Sequence, residues 1–244
     1  MLDSIEESYA FLFTGMWLPG SYLQDRKNVS GLIKIFLETF KDNKKKPALV
    51  LKTSSGNASI MDRNNILDKI ASIKKSIKST DLPNIYIIHG DLSDNEMNTL
   101  YNHKKIKTMV SLTKGEGFGR PLLEFTQSKK PIIASGWGGH IDFLKHDATS
   151  LIGGTLEKVH ESALQKDMII PESSWFQFDH AQARLALKEH FEKYKIYQIN
   201  GKKLGYHCSQ NFEQKNMEEK LKEIFDANVK LPLKLKMPNL VKLD

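Results

Sequence analysis

The sequence predicts an α/β fold, in which a doubly wound parallel sheet is followed by C-terminal helices. Short apolar runs rich in β-branched residues alternate with segments of helical periodicity over residues 1–178, as parallel strands and their crossover helices do. One run is joined to a helix start by a glycine-rich turn within residues 111–124. From about residue 179 only helical periodicity remains. We therefore divide the chain into a sheet domain at 1–178, closing helices at 179–228 and a basic tail at 229–244.

The strands are predicted from apolar runs that end at polar or glycine-containing turns. A run without alternation, such as ALVLKT at residues 48–53, is typical of a parallel strand covered by helices on both faces. Right-handed crossovers then place such strands in one sheet. The six predicted strands are Tyr9–Thr14, Ala48–Thr53, Asn84–His89, Ile106–Leu112, Pro131–Ala134 and Ser150–Ile152.

The helices are predicted from apolar residues three and four positions apart. Ser93 or Asp94 is expected to cap the third helix, and Trp175 is expected to be a core residue. The predicted helices are Val29–Lys41, Ile66–Lys78, one after Ser93 or Asp94, one from Pro121 to near Ser128, a short one through Phe143 and Leu144, Ala181–Tyr197 and Lys202–Phe225.

The composition is that of a soluble globular protein with a real core. Of the 244 residues 40% are hydrophobic and 27% charged, which is ordinary for such a protein. The sequence contains no apolar stretch of about 18 residues, so no transmembrane helix is expected. The N-terminus lacks a signal-peptide pattern. Cys208 is the only cysteine, which excludes an intrachain disulfide and fits a reducing cytoplasm. The eight histidines are scattered, so we expect no structural metal.

The charge balance is basic. The 36 Lys and Arg against 29 Asp and Glu give a net charge of +7, which favours phosphate-bearing ligands or an anionic surface. Nucleic acid is not expected as a partner, since no aromatic-interleaved basic motif or known nucleic-acid module is present. The basic tail at 229–244 is expected either to be disordered or loosely docked, or to contact an anionic membrane surface or a partner.

The glycine-rich turn, SLTKGEGFGRPLLE at residues 111–124, is typical of a phosphate site. Glycines let the backbone approach a ligand, and free N–H groups at a helix start favour anions. Pro121 suits the first helical turn. Glu116 and Glu124 flank the turn and can face one pocket from two sides. A carboxylate accepts two hydrogen bonds from a vicinal diol, so a sugar or ribose is expected; a turn with two solvated glutamates is the alternative.

Together with KPIIAS at 130–135 and GWGGH at 136–140, this segment closely resembles the donor-binding half of GT-B glycosyltransferases. The match is to the retaining group 1 (family four) type, whose hallmark is a Glu-x7-Glu pair, and it runs from about Tyr9 to Phe225. It implies a Rossmann-like nucleotide-sugar-binding domain, with Glu124 on the ribose hydroxyls and Glu116 on the donor sugar as the catalytic residue. The backbone at Gly119, Arg120 and Pro121 would line the diphosphate and ribose, and Gly117 and Phe118 of the same turn are also expected to bind the donor.

The resemblance also implies two diphosphate-binding cations in the loop after the first strand. The family has an arginine just after the glycine, here Gly15, and a lysine further on. Arg26 and Lys27 match the lysine end, and Lys27 is the candidate. The arginine position holds Met16, which removes one phosphate-binding cation, for which Arg26 or Arg120 would have to compensate.

Five other residues complete the predicted site. The family contacts the nucleobase through the backbone that corresponds here to Gly90, Asp91 and Leu92, so the base cannot be assigned. Lys52, at the carboxyl end of the second strand, is either a phosphate contact or a solvated strand end. His140 is either a contact to donor or acceptor or a surface residue, and His89 is expected to pack at a strand end.

The implied activity is transfer of a sugar from a nucleoside diphosphate sugar to a hydroxyl acceptor, glycan, lipid-linked or other, with retention and without metal or other cofactor. Complete GT-B enzymes have two Rossmann-like halves, and this chain resembles the second alone. We therefore expect the acceptor half on a separate chain or on a segment removed or not encoded. The main alternative is a non-catalytic sugar-nucleotide-binding module; an epimerase-like enzyme on this fold fits less well.

Overall fold

The computed structural model describes residues 2, 4–18, 20–144 and 147–229, and its centre is a six-stranded parallel sheet. The strands are β1 (Ala10–Thr14), β2 (Ala48–Lys52), β3 (Ile85–Ile88), β4 (Ile106–Ser111), β5 (Ile132–Ser135) and β6 (Ser150–Ile152). Their order is β3-β2-β1-β4-β5-β6, and every neighbouring pair is parallel. The prediction of a doubly wound parallel α/β fold is confirmed.

Helices cover both faces of the sheet and continue beyond it. They are α1 (Val29–Phe40), α2 (Ile60–Ser76), α3 (Asp94–Asn102), α4 (Arg120–Thr126), α5 (Ile141–Leu144), α6 (His180–Glu192), α7 (Tyr194–Phe212) and α8 (Gln214–Asn228). Ser93 caps α3 in a capping box with Glu96, which satisfies two free N–H groups of the helix start. Among the described residues, no helix combines the length and hydropathy needed to cross a membrane.

Two apolar layers form the core, because successive side chains of a strand point to opposite faces. Phe11 and Phe13 of β1 pack on one side with Phe36 of α1. Leu12 of the same strand packs on the other side, in the layer that contains Phe125 of α4. All five residues are at most 1% exposed, so the sheet is buried on both faces and its strands read as unbroken apolar runs.

The C-terminal part differs from the prediction. Between residue 179 and residue 229, where the described part ends, the chain forms three helices, not two, and they are separated at Lys193 and Glu213. The predicted gap at 198–201 lies inside α7, where Gly201 packs against the chain before β5. A Cβ at Gly201 would lie 2.4 Å from the carbonyl carbon of Lys130, so the glycine serves close packing and does not end the helix.

A two-stranded antiparallel sheet was not predicted. It pairs β7 (Gly154–Lys158) with β8 (Ser174–Phe178), and a short 3-10 turn lies between them at Glu161–Ala163. All five residues of β7 are exposed, so no apolar run marks this strand. Trp175 is buried as predicted, in a small cluster with Val159. The basic tail, apart from residue 229, lies outside the described residues.

Helix α2 begins six residues before its predicted start. The Ser59 side chain accepts a hydrogen bond from the Asp62 N–H and so caps the helix at Ile60. Ile60 and Met61 are 77% and 82% exposed, which explains why apolar periodicity did not reveal the first turns. Asp62 also pairs with His89 at 2.8 Å, so His89 is a packed residue at the strand end.

His190 is a buried neutral base in α6. Its Nε2 lies 2.8 Å from the Ser150 hydroxyl, and its ring stacks on Tyr197 with centroids 3.8 Å apart. The Nδ1 atom is buried without a hydrogen-bond partner. Burial lowers the pKa of His190 to about 3, because a charged imidazolium would lose its hydration there.

We expect the free energy of unfolding to fall as the pH drops below 6.5, the ordinary histidine pKa. Between 6.5 and about 3 the unfolded chain binds a proton that folded His190 does not, so acid favours unfolding. This one group removes roughly 2 kcal/mol at pH 5, from 1.36 kcal/mol per pKa unit. Urea unfolding at pH 7 and pH 5 measures the loss, which should be smaller in His190→Gln. Exposed His160→Gln is the control, and equal pH dependence in the parent and His190→Gln would contradict the assignment.

Candidate functional site

The candidate site lies at the carboxyl edge of the sheet, where the strand order reverses between β1 and β4. In open α/β sheets this switch point leaves a crevice between two loops that diverge to opposite faces. Here the loops are residues 15–28 after β1 and 112–119 after β4. The first carries Arg26 and Lys27, and the second carries Glu116. Fold topology, not sequence proximity, brings these charged residues together.

Two neighbouring depressions occupy this edge, and Arg120 lines both. The first, of about 320 Å³, is lined by Thr14, Gly15, Met16, Leu18, Arg26, Lys27, Met109, Ser111, Glu116, Gly119, Arg120, Pro121 and Leu122. The second, of about 660 Å³, is lined by Lys52, Asp91, Leu92, Asp94, Met97, Asn98, Tyr101, Arg120, Glu124 and Gln127. A further depression between the β1–α1 loop and α2 is lined by none of the predicted site residues.

In the first depression both cations of the β1–α1 loop contact the glycine-rich turn at residues 111–124, which is called the motif turn below. The Lys27 ammonium forms an ion pair with the Glu116 carboxylate, and the Arg26 guanidinium donates to the Gly115 carbonyl. The side chains of Lys27 and Glu116 are only 17% and 14% exposed. A pair so shielded from water interacts more strongly than a surface pair, so each charge is held in place by the other.

The turn before α4 depends on Gly119. This residue is the N-cap of α4 at φ 87°, a left-handed conformation that glycine adopts without steric cost. A Cβ there would lie 2.9 Å from Cβ of His140. Pro121 stands in the first turn of the helix, where its missing N–H leaves no bond unmade. Phe118 is 52% exposed at the top of the turn.

The second depression is organised around Glu124. Its Oε1 lies 3.2 Å from Nε of Arg120, and its Oε2 accepts a hydrogen bond from the Tyr101 hydroxyl at 3.2 Å. Burial, with the neighbouring Glu124 charge, raises the pKa of Tyr101, so the phenol stays a donor. The Glu124 side chain is 42% exposed and retains acceptor capacity for a ligand diol.

The structure does not place all predicted site residues on these walls. Glu116 and Glu124 line adjoining depressions instead of a single pocket. Gly90, at φ 107°, belongs to the loop before the wall residues Asp91 and Leu92. Gly117 stands within the motif turn, and a Cβ added there meets nothing within 4 Å.

His140 lies inside the protein. It is fully buried, and its Nε2 donates to the Ser135 carbonyl at 2.7 Å. Burial lowers its pKa, so the imidazole is neutral at pH 7. The ring packs against Gly138, where a Cβ would lie 3.3 Å from its Nδ1. His140 therefore packs against the motif turn and lines neither depression.

Sequence reasoning missed Tyr101 and Lys114. Tyr101 lies beside the apolar Leu100 in α3, and nothing in the local sequence shows that its hydroxyl reaches Glu124. Lys114 is 1% exposed although it lies in the motif turn. Among the described residues, no group of three or more His, Cys, Asp or Glu side chains is placed to hold a metal ion.

The family follows from comparison with a sequence model. The model of glycosyl transferases group 1 matches residues 21–169, more than half of the chain. The chain belongs to the group 1 glycosyltransferase family. Comparison with curated protein sequences gave no match.

Solved structures share the fold of this glycosyltransferase chain. The C-terminal domain of a group 1 family protein (LpcC) from Francisella tularensis gives a TM-score of 0.53 at 16% identity, over 84% of this chain and 85% of that chain. Anabaena HepE in complex with UDP-glucose gives 0.57 at 12% identity, over 91% and 49%. The UDP-forming α,α-trehalose-phosphate synthase of Burkholderia vietnamiensis gives 0.58 at 10%, over 90% and 45%. The chain thus spans less than half of the two latter proteins.

Proposed function

We propose that this chain is the donor-binding part of a glycosyltransferase that moves a sugar from a nucleoside diphosphate sugar to a hydroxyl acceptor with retention. The observation that carries the proposal is the convergence of Lys27, Glu116, Arg120 and Glu124 at the strand-order switch point. Two cations suit a diphosphate, and two carboxylates suit the diols of a ribose and a sugar. Family membership supports the transferase class.

In this proposal the ligand lies across both depressions. The ribose binds Glu124, the diphosphate lies near Arg120 and Lys27, and the sugar reaches Glu116. The nucleobase lies against the loop that holds Asp91 and Leu92. The order follows the walls of the two depressions, which meet at Arg120.

The proposed reaction needs charge stabilisation more than proton transfer by the protein. The bond between the anomeric carbon and the diphosphate oxygen breaks, and the acceptor oxygen bonds to the same face of that carbon. The acceptor hydroxyl proton passes to the leaving diphosphate. Lys27 and Arg120 stabilise the negative charge that grows on the diphosphate. Glu116 orients the sugar and stabilises the positive charge at the anomeric carbon.

A second candidate is a sugar-nucleotide-binding module without transfer activity of its own. The chain spans 49% and 45% of two structurally similar proteins, so the acceptor half is proposed to come from a further segment or a separate chain. The binding module would be favoured if the chain binds a nucleotide but transfers sugar to no hydroxyl compound, even when an acceptor-binding half is added.

The donor site is tested by thermal unfolding with UDP, GDP and ADP separately, for the parent and Glu124→Ala. A ligand at one hundred times its Kd stabilises the folded chain by about 2.7 kcal/mol, which raises Tm by roughly 5–10 °C in a chain of this size. We expect one nucleotide to do so and Glu124→Ala to abolish the shift, because the ribose loses its acceptor.

The chain offers a matched control in Glu192→Ala. Glu192 of α6 is 52% exposed and has a cation four residues earlier, Lys188, at 3.9 Å, as Glu124 has Arg120 at 3.2 Å. The two substitutions remove similar helix-surface ion pairs, worth a few tenths of a kcal/mol. An equal nucleotide shift in the parent and Glu124→Ala would contradict the ribose assignment.

A further inference from the structure

Lys114 is a buried cation in the motif turn, two residues before Glu116. It follows β4 within the motif turn and is 1% exposed. Its ammonium donates to the Leu23 carbonyl at 2.6 Å, in the loop that carries Arg26 and Lys27. Burial lowers the pKa of Lys114, and the Asp25 carboxylate acts in the opposite direction. Burying an ammonium costs free energy unless it is paired and hydrogen-bonded, so the contacts of Lys114 have to offset this cost.

The Leu23 contact continues into a buried polar chain. The Leu23 N–H donates to the Ser30 hydroxyl at 3.1 Å, and Ser30 donates to Asp25 at 2.6 Å. The other Asp25 oxygen accepts the Val29 N–H at 2.7 Å. Asp25 and Ser30 are 1% and 3% exposed. The chain of bonds therefore links Lys114 to the start of α1, on both sides of Arg26 and Lys27.

The backbone of the same turn holds the loop at a second point. The Lys114 N–H donates to the Arg26 carbonyl at 2.9 Å, and the Thr113 hydroxyl donates to that carbonyl at 3.2 Å. These bonds do not depend on the Lys114 side chain. Substitution of Lys114 therefore removes the ammonium bond to the Leu23 carbonyl and leaves these two bonds to the Arg26 carbonyl in place.

We infer that Lys114 is a positioning residue, which holds the loop of residues 23–28 so that Arg26 and Lys27 meet the motif turn at the diphosphate site. Leu23 has φ 65°, an unfavourable left-handed conformation for a leucine, so the loop needs an external hold at this residue. With Met16 at the first cation position, a loose loop would leave the diphosphate with few fixed charges. The inference rests on the proposed donor site.

Lys105→Met supplies a matched control for Lys114→Met. Lys105 precedes β4 at its amino end, and its ammonium also donates to a backbone carbonyl, that of Ile5. Both substitutions remove a carbonyl-bound lysine next to the same strand, at opposite edges of the sheet. Only Lys114→Met is expected to affect the loop and the nucleotide.

The experiment measures hydrogen exchange of the Leu23, Gln24 and Asn28 amides without ligand, and Kd values for UDP, GDP and ADP. In Lys114→Met we expect faster exchange and about tenfold weaker binding of the preferred nucleotide, as loss of a charged hydrogen bond implies. Lys105→Met should match the parent in both. Lys114→Gln replaces Lys114→Met if the latter does not fold.

Each outcome decides one of the two proposals. Unchanged loop exchange in the folded variant overturns the positioning role, and so does faster exchange with unchanged nucleotide affinity. Equal losses in Lys105→Met also overturn it, because the effect would then be general destabilisation. If the parent binds none of the nucleotides while Lys114→Met speeds exchange, the proposed function fails and the hold on the loop is upheld.

Discussion

Glu116→Gln is expected to reduce sugar transfer by about 100-fold or more and to bind the bare nucleoside diphosphate at least as tightly as the parent. The first effect follows from losing the charge that stabilises the transition state, for which single-group deletions cost about 10²–10³. The second follows from the Lys27–Glu116 ion pair. Without a ligand these charges neutralise each other, so the ion pair has to break before the Lys27 ammonium can bind a diphosphate. Glu116→Gln removes that competing interaction.

Calorimetric titration of the parent, Glu116→Gln and Lys27→Met separates these effects. The ligands are the nucleotide that stabilises the parent in the melting experiment and a panel of its sugar conjugates. In Glu116→Gln the advantage of the best conjugate over the bare nucleotide should disappear. In Lys27→Met both ligands should weaken together, and the double variant reports the coupling between the residues. If Glu116→Gln preserves the sugar preference of the parent, Glu116 does not contact the sugar.

The sheet was predictable from the sequence because of where its side chains lie. Strands β1 and β2 are covered on both faces, so Phe11, Leu12 and Val50 are all wholly buried and form unbroken apolar runs. Strand β7 has no buried residue and is held by pairing with β8. Such pairing depends on distant residues and leaves no local pattern. The same reason explains why Gly201, a close-packing residue inside α7, resembled a helix end.

The candidate site was predictable at the level of residue types but not of partners. The motif indicates Glu116 and Glu124 as ligand-binding carboxylates, a role that remains a prediction. That Lys27 pairs with Glu116, 89 positions along the chain, follows from the strand order at the switch point. His140 resembled a surface residue because it precedes a short helix. Its burial results from packing against Gly119 and Gly138, which the sequence does not reveal.

The loop of Trp137 to His140 packs against the motif turn, and Gly139 contacts that turn directly. The Gly139 N–H donates to the Glu116 carbonyl at 2.8 Å. A Cβ at Gly139 would lie 1.8 Å from the Gly117 carbonyl oxygen, far inside van der Waals contact, and backbone atoms on both sides leave no flexible side chain to yield. The substitution Gly139→Ala therefore has to separate the two loops.

We expect Gly139→Ala to lower the free energy of unfolding by about 2–3 kcal/mol, as overpacking of a well-packed site does, and to abolish nucleotide-dependent stabilisation because the turn that carries Gly119 and Arg120 is displaced. Gly117→Ala is the matched control. Gly117 lies across the same contact, but a Cβ there meets nothing within 4 Å, so this variant should match the parent in stability or exceed it by up to about 1 kcal/mol. Urea unfolding and nucleotide melting shifts of the two variants test this. If Gly139→Ala is as stable as Gly117→Ala and keeps the nucleotide melting shift, the loops tolerate separation and the turn does not depend on Gly139 for its position.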